Sequence, residues 1–325
     1  MLFLLLSGCG MLADHYGAAA DPADPTEHIF TVPAGSTARA LGPALEAEGL
    51  VDDADDFGMY VRLSKEGGCI KAGRFKLRPD MDAPTLLRTL CGTPLPEDVP
   101  FTVVEGWRIQ EIDAALAAKG WTQPGEYSSL AHSPGEFKAA FPLPASSLEG
   151  YLYPETYMVI EAKWSTHDFI QRQLDTLAER FYTANQAAIE AGKHPFGDLV
   201  IMASMVEKEE PTPSQRAIVA GILWKRLDAS WNLGVDATSR YKLPDWNDRK
   251  PFLKALRDPN DPYNSRLRPG LPPTAIGNPG VTALDAALHP VESDDWYYLH
   301  DANRVIHPAR NEAEHEANRR TYNVY

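Results

Sequence analysis

The chain has 325 residues, of which 44% are hydrophobic, so it can bury a sizeable core and is long enough for two domains. Its formal net charge of -14 comes from acidic residues that are spread along the whole sequence. Because no basic stripe is available to neutralise a phosphate backbone, the charge pattern excludes nucleic acid as an expected partner.

Residues 1–27 are typical of an export or anchor segment followed by a linker. Met1 to Leu12 is almost wholly apolar, and a small, polar stretch continues to Glu27. Cys9 ends a Leu-Ser-Gly-Cys sequence that resembles the lipidation site of bacterial lipoproteins. The alternative is a transmembrane anchor helix whose upstream half is missing from this sequence, since a spanning helix needs ~20 apolar residues. Both interpretations predict a body in the cell envelope, at the periplasmic face of the inner membrane.

Residues 28–97 are predicted to form a small α+β module with the order strand, helix, helix, strand, helix. Alternating apolar positions indicate the strands, and capping residues and glycines bound the helices. The strands are predicted over 29–32 and 70–77, and the helices from a Ser36 cap to Gly49, over 53–65, and from Asp82 to Gly92.

The cysteine positions in this module favour a disulfide between Cys69 and Cys91. Cys69 begins the second predicted strand, and Cys91 ends the helix that follows it. A helix packed antiparallel on that strand would bring the two Cα atoms within the ~7 Å that a disulfide requires. The alternative is a pair of buried, reduced cysteines.

Residues 98–325 are predicted to form a larger mixed α/β domain. It opens with a strand over 101–104 and a helix from Ile109 to Gly120, and an aromatic, strand-like segment covers 148–160. The chain then forms a long amphipathic helix over 166–191 and an apolar helix over 196–210. Beyond Tyr241, prolines and glycines break the pattern into short pieces, which is typical of a segment that shapes a site.

The apolar helix ends in a cluster of charged residues that could carry chemistry. An uncharged run from Leu199 to Val206 is followed at once by Glu207, Lys208 and two further glutamates. Glu207 extends the small, apolar face of the helix. Burial and the negative end of the helix dipole both disfavour an ionised carboxyl and move its pKa towards the range of a general acid. From the residues alone, an ordinary solvated helix end is the alternative.

The sequence Ile201-Met-Ala-Ser-Met-Val-Glu-Lys-Glu209 resembles the signature helix of the YceG/MltG family of endolytic murein transglycosylases. Further stretches resemble the family in family order: Val104-Glu-Gly106, Leu148-Glu-Gly-Tyr-Leu-Tyr-Pro-Glu-Thr-Tyr157, Leu233-Gly-Val-Asp-Ala-Thr238, Pro262-Tyr-Asn-Ser265, Gly270-Leu-Pro-Pro273 and Asn278-Pro-Gly280. The resemblance covers about residues 28–325. It implies that the first glutamate of the signature, Glu207, is the catalytic acid and base.

The resemblance also implies a lyase that cuts the bond between N-acetylmuramic acid (MurNAc) and N-acetylglucosamine (GlcNAc) inside peptidoglycan strands and leaves 1,6-anhydro ends. Glu207 would protonate the glycosidic oxygen and then accept the proton of the sugar's C6 hydroxyl. This route requires no second carboxylate, no cofactor and no metal. The resemblance further implies that 28–97 is LysM-like, and that peptidoglycan synthases and the inner membrane are candidate partners.

Six residues are candidates for contacting the sugar: five lie in the family-like stretches, and the sixth, His307, lies in a C-terminal segment that resembles the family's histidine-containing tail. They are Tyr151, Asp236, Thr238, Tyr263, Asn264 and His307. Each has a structural alternative, because aromatic residues are more often in a core and Asp or Asn more often form turns. The family usually has Y-N-T-Y where Tyr263-Asn-Ser-Arg266 stands, so the resemblance does not indicate which substrate contacts Ser265 and Arg266 make.

Two other functions fit parts of this pattern. A non-catalytic peptidoglycan-binding or cell-division scaffold could keep the fold, although an intact Glu207 argues against it. A pyridoxal-phosphate lyase would need a Schiff-base lysine and a phosphate cradle. Lys208 adjoins the glutamate, but no glycine-rich phosphate loop accompanies it in the sequence.

Overall fold

The structure is a computed structural model that describes residues 16–324. The chain divides into two compact units, Met1–Val99 and Pro100–Tyr325. The lipidation candidate Cys9 lies outside the described residues. Within residues 16–324, no helix combines the length and the apolar character needed to cross a membrane.

The first unit has a two-stranded antiparallel sheet in which Phe30 lies opposite Phe75. Three helices cover it, and their apolar side chains form one buried cluster with the sheet. Thr37, rather than Ser36, caps the first helix, because its side chain accepts the N–H of Ala40. The elements are β1 (His28–Val32), α1 (Ala38–Ala47), α2 (Ala54–Ser64), β2 (Gly73–Leu77) and α3 (Ala83–Cys91). This is the order predicted from the sequence.

A disulfide joins Cys69 and Cys91, whose Cα atoms lie 5.0 Å apart. The chain passes beside the end of α3 at this point, where the N–H of Lys71 donates to the carbonyl of Leu90 at 3.0 Å. The cysteines are 22 residues apart, and a loop of this size gains ~3 kcal/mol from the cross-link in the chain-entropy model.

The remaining strands form two further two-stranded sheets, and helices make up most of the second unit. The strands are β3 (Asp98–Thr102), paired with β4 (Thr156–Ile160), and β5 (Tyr297–His300), paired antiparallel with β6 (Ile306–Ala309). The helices are α4 (Ile109–Ala118), α5 (Glu126–Ala131), α6 (Thr166–Leu177), α7 (Thr183–Ala191), α8 (Phe196–Glu209), α9 (Arg216–Asp228), α10 (Asp236–Arg240), α11 (Arg249–Ala255), α12 (Val281–Leu288) and α13 (Glu312–Tyr322). A π-helical turn, Ala178–Tyr182, joins α6 to α7. The fold is therefore mixed α/β, with helices predominating.

Helix α8 lies at the centre of the second unit and packs against α9, α12 and α10. Val200, Met202, Ala203, Met205 and Val206 are all fully buried. An uncharged helix can be enclosed on every side without stranding a charge, which is why this run occupies the core. The charged C-terminal end of α8 lies beside α10, the start of α12 and the β5–β6 hairpin.

The segment 148–155, predicted to be strand-like, forms turns, and only β4 is extended. Gly150 has a left-handed φ of 93°, and a Cβ at this position would lie 2.4 Å from the Cβ of Ala275. The side-chain carbonyl of Asn278 accepts the backbone N–H of both Gly150 and Leu152. These N–H groups bond to a distant loop instead of a neighbouring strand, so the segment curves.

Candidate active site

The glutamates at the end of α8 face different surroundings because successive residues of a helix are rotated by about 100°. Glu207 and Glu209 therefore point to nearly opposite sides. Glu207 faces α9 and the start of α12, whereas Glu209 faces the start of α10 and strand β5.

Glu207 lies in a buried ion pair. Its Oε1 is 2.5 Å from Nη2 of Arg216, and its Oε2 accepts from Nη1 of Arg216 at 3.1 Å and from the N–H of Gly280 at 3.0 Å. The side chains of Glu207 and Arg216 are only 6% and 5% exposed. Burial raises the pKa of Glu207, while the charge of Arg216 and the N–H of Gly280 act in the opposite direction. The net effect is a pKa above the ordinary value of a glutamate, although both carboxyl oxygens of Glu207 accept hydrogen bonds from Arg216.

Glu209 is partly exposed and has different neighbours. Its Oε2 accepts a hydrogen bond from the hydroxyl of Tyr298 at 3.2 Å, and the backbone N–H of Ala237 also faces the carboxyl. Burial raises the pKa of Glu209, and the negative charge of Asp236 raises it further. Within the described part of the chain, no Lys, Arg or His forms an ion pair with Glu209. The hydrogen bonds from Tyr298 and Ala237 act in the opposite direction, but the net effect is a pKa above the ordinary value of a glutamate.

Glu210 completes the cluster and has a structural role. It is fully buried, and its two oxygens lie 2.8 Å from Nε2 of His300 and 2.7 Å from the N–H of Thr212. The main-chain carbonyl of Glu210 also accepts from Nε of Arg216. These bonds fix the end of α8 against strand β5 and the segment that leads to α9.

Asp236 is the sequence-predicted contact residue that lies beside the acidic cluster and is open to solvent. It is the first residue of α10, and its carboxylate accepts a short hydrogen bond from Nε of Arg266. The side chains of Asp236 and Arg266 are 41% and 50% exposed. Both side chains are therefore accessible to solvent.

The predicted contacts of Tyr151 and Tyr263 do not fit their positions in the structure. Tyr151 packs in the core against Phe141 and Phe196, and burial raises the pKa of its hydroxyl to about 12. Tyr263 is 8% exposed, stacks on Tyr241 and hydrogen-bonds to a neighbouring threonine. Both rings therefore pack inside the second unit, and neither has a face exposed to solvent.

Thr238 and Asn264 are likewise fully buried, so neither side chain presents an atom to solvent, and their roles as sugar ligands stay predictions. The hydroxyl of Thr238 is bonded to the carbonyl of Val235 and to Oγ of Ser265. The side-chain amide of Asn264 donates to three main-chain carbonyls between 255 and 258. Their hydrogen bonds fix the loops that carry Asp236 and Arg266.

His307 belongs to the terminal hairpin. Its Nε2 lies 3.1 Å from a carboxylate oxygen of Asp301, and its ring stacks on Tyr322 with a centroid distance of 3.6 Å. These contacts tie β6 to the loop before it and to α13, which is a structural use of the histidine.

Sequence reasoning missed the partners of the two glutamates. Arg216 and Tyr298 lie outside the family-like stretches, so no local signal indicates them. Gly280 lies inside such a stretch, and a Cβ there would lie 2.1 Å from Oε1 of Glu105, so the Glu105 side chain would have to move to admit one.

Glu149, also in a family-like stretch, is another buried acid that the sequence reasoning did not single out. It accepts from the N–H of Ile109, the hydroxyl of Tyr241 and the amide of Asn278, each at 3.1 Å. Burial raises the pKa of Glu149 to about 8. Its bonds hold together the start of α4 and the loops at 241 and 278, which surround the end of α8.

Residues 30–321 match the model of the YceG-like family. A Bacillus subtilis protein named endolytic murein transglycosylase is 26% identical over 311 residues, which cover 90% of this chain and 84% of that protein. A Streptococcus pneumoniae protein of the same name is 24% identical, and the match covers 88% of this chain and 57% of that protein. The crystal structure of a YceG-like protein from Listeria monocytogenes shares the fold, with a TM-score of 0.55 and 24% identity over 90% of this chain and 99% of that one. The match over most of its length shows that this chain belongs to the YceG-like family.

Proposed function

We propose that this protein is an endolytic murein transglycosylase, which cleaves MurNAc–GlcNAc bonds within peptidoglycan strands and leaves 1,6-anhydro-MurNAc ends. Family membership and the names of its relatives support the reaction class. The observation that carries the proposal is Glu209, a carboxyl with a raised pKa and no cationic partner in the described chain, at the end of a rigid buried helix.

The geometry favours Glu209 over Glu207 as the acid and base. Glu207, the residue indicated by the sequence, stays a prediction, but its Arg216 partner would have to be displaced before it could hold and transfer a proton. Glu209 needs no such rearrangement, since burial and Asp236 already favour its protonated form. We assign Glu207 a positioning role, because it joins α8 to α9 and to the Gly280 loop.

In the proposed reaction, protonated Glu209 gives its proton to the glycosidic oxygen as the bond from that oxygen to C1 of MurNAc breaks. The C6 hydroxyl of the same MurNAc then attacks C1, and the Glu209 carboxylate accepts the hydroxyl proton. The acid is thereby regenerated, and no water is consumed. The 2-acetamido group of the substrate can share the positive charge, so a second enzyme carboxylate is unnecessary.

The test compares Glu209→Gln with Glu207→Gln in the full chain, on uncrosslinked glycan strands in water enriched in oxygen-18. Wild type should release internal fragments with anhydro ends that contain no solvent oxygen. Glu209→Gln should release none, whereas folded Glu207→Gln should retain cleavage. If Glu209→Gln cuts while folded Glu207→Gln is inactive, the acid is Glu207. Reducing ends that carry solvent oxygen would indicate a hydrolase, and binding without cleavage would favour the scaffold function.

We also infer that 28–97 is a LysM-like module and that the protein acts in the cell envelope, held at the inner membrane by its N-terminal segment and near peptidoglycan synthases. The order β1, α1, α2, β2 and the disulfide support a small, exported binding module. Sedimentation of the full chain with purified peptidoglycan sacculi, with residues 28–97 deleted as the comparison, tests the binding role.

A further inference from the structure

We infer that Arg266 binds a carboxylate of the substituent on the MurNAc sugar, and so makes the enzyme favour anionic glycan strands; this inference rests on the proposed function. Arg266 stands where the family resemblance predicts an aromatic residue, so the guanidinium is a feature of this chain.

The backbone of Arg266 is fixed while its side chain is open. Its N–H donates to the side chain of Asn264 at 3.2 Å, and its carbonyl accepts from the side chain of Asn232 at 2.8 Å. The preceding residue, Ser265, is 4% exposed and bonded to Thr238. The guanidinium therefore extends to solvent from a rigid base, which limits the entropy that a ligand would have to remove.

The guanidinium retains free donors. Nε donates to Asp236, and within the described residues the two terminal nitrogens form no hydrogen bond. A guanidinium has five N–H donors in a planar fork that matches a carboxylate. Half of the Arg266 side chain is exposed, so an incoming carboxylate can reach the free donors without displacing Asp236.

The position of Arg266 places such a ligand beside the reacting bond. Asp236, which holds the guanidinium, precedes Ala237, whose N–H faces the Glu209 carboxyl. Arg266 and Glu209 also lie close enough for the charge of Glu209 to affect the pKa of Arg266. The sugar at Glu209 must be MurNAc, because the 1,6-anhydro ring closes on that sugar.

MurNAc differs from GlcNAc by a lactyl ether whose carboxylate is either free or linked to the stem peptide. The stem peptide has carboxylates of its own. Because the chain has a net charge of -14, it can bind such a group only through a specific local cation, and Arg266 supplies exposed guanidinium donors at this position. The competing role is that Arg266 only neutralises Asp236, and the two roles predict different substrate dependence.

The experiment measures initial cleavage rates of the full chain for wild type, Arg266→Gln and a control, Arg268→Gln, which removes an exposed arginine of the same segment. Three substrates are used: peptide-bearing strands, strands stripped of peptide, which carry only the lactyl carboxylate, and peptide-bearing strands whose carboxylates have been amidated with carbodiimide and ammonia.

Arg266→Gln should lower kcat/KM by roughly tenfold on strands with free carboxylates, the loss expected for one charge-assisted hydrogen bond, and should match wild type on amidated strands. A loss on peptide-bearing strands assigns the bound group to the stem peptide, and a loss restricted to stripped strands assigns it to the lactyl group. Equal losses on all three substrates, no loss on any, or an equal effect of Arg268→Gln would overturn the inference. A wild type that cuts no substrate would instead refute the proposed function.

Discussion

The buried pair of Glu207 and Arg216 predicts a large and specific stability change on Glu207→Gln. The substitution keeps the shape of the side chain but leaves the Arg216 guanidinium, which is 5% exposed, without its counter-charge. Removing one partner of a buried ion pair costs ~3–5 kcal/mol. Gln retains one acceptor oxygen for the N–H of Gly280 or for Arg216, so the lower end of that range, ~3 kcal/mol, applies.

That free energy converts into a measurable shift in melting temperature. For a unit of the size of Pro100–Tyr325, each kcal/mol corresponds to ~2–4 °C, so Glu207→Gln should lower the Tm of this unit by ~6–12 °C. Differential scanning calorimetry of the full chain is the assay. Glu209→Gln is the matched control: it leaves no cation without its counter-charge, and Gln can keep the hydrogen bond from Tyr298, so its Tm should stay within ~2 °C of wild type.

A double variant separates charge from packing. Glu207→Gln combined with Arg216→Met removes the stranded cation, so the Tm should recover part of the loss relative to Glu207→Gln alone. The reasoning is refuted if Glu207→Gln melts within ~2 °C of wild type. It is also refuted if the double variant loses more free energy of unfolding than the two single variants lose together.

The remaining predictions concern the acid and the disulfide. Asp236→Asn removes the charge that raises the pKa of Glu209, so the alkaline limb of the pH–rate profile should move to lower pH. Tyr298→Phe removes a hydrogen bond that lowers this pKa, so the limb should move to higher pH; limbs that stay in place would argue against Glu209 as the acid. Thiol labelling of the unfolded, unreduced protein should modify neither Cys69 nor Cys91, and reduction should lower the Tm of the first unit; two labelled thiols would contradict the bond.

Much of the local structure was predictable because its causes are local. Asp53 and Asp82 cap α2 and α3 at the predicted positions, since each accepts N–H groups of the first turn that follows it. The apolar helix over 196–210 was predicted from its uncharged run, and the structure buries that run because neighbouring helices can surround it without burying a charge.

The site depended on contacts between residues that are far apart in the sequence. Segment 148–155 has strand-like composition, but the N–H groups of Gly150 and Leu152 bond to Asn278, more than a hundred residues later. Thr238 and Asn264 were predicted as ligands because they lie in family-like stretches, and the folded loops bury both. Sequence motifs identify segments that come together, but they do not reveal which atoms face a groove.

The sequence by itself determined the family-like segments, the order of elements in the first unit and the acidic end of a buried helix. Only the tertiary structure distinguished the glutamates of that end, which are two residues apart. Helical rotation turns Glu207 to Arg216, a fixed cation, and Glu209 to Asp236 and Tyr298. A carboxyl's proton affinity depends on the charges and solvent around it, and those neighbours come from helices and strands that folding alone brings together.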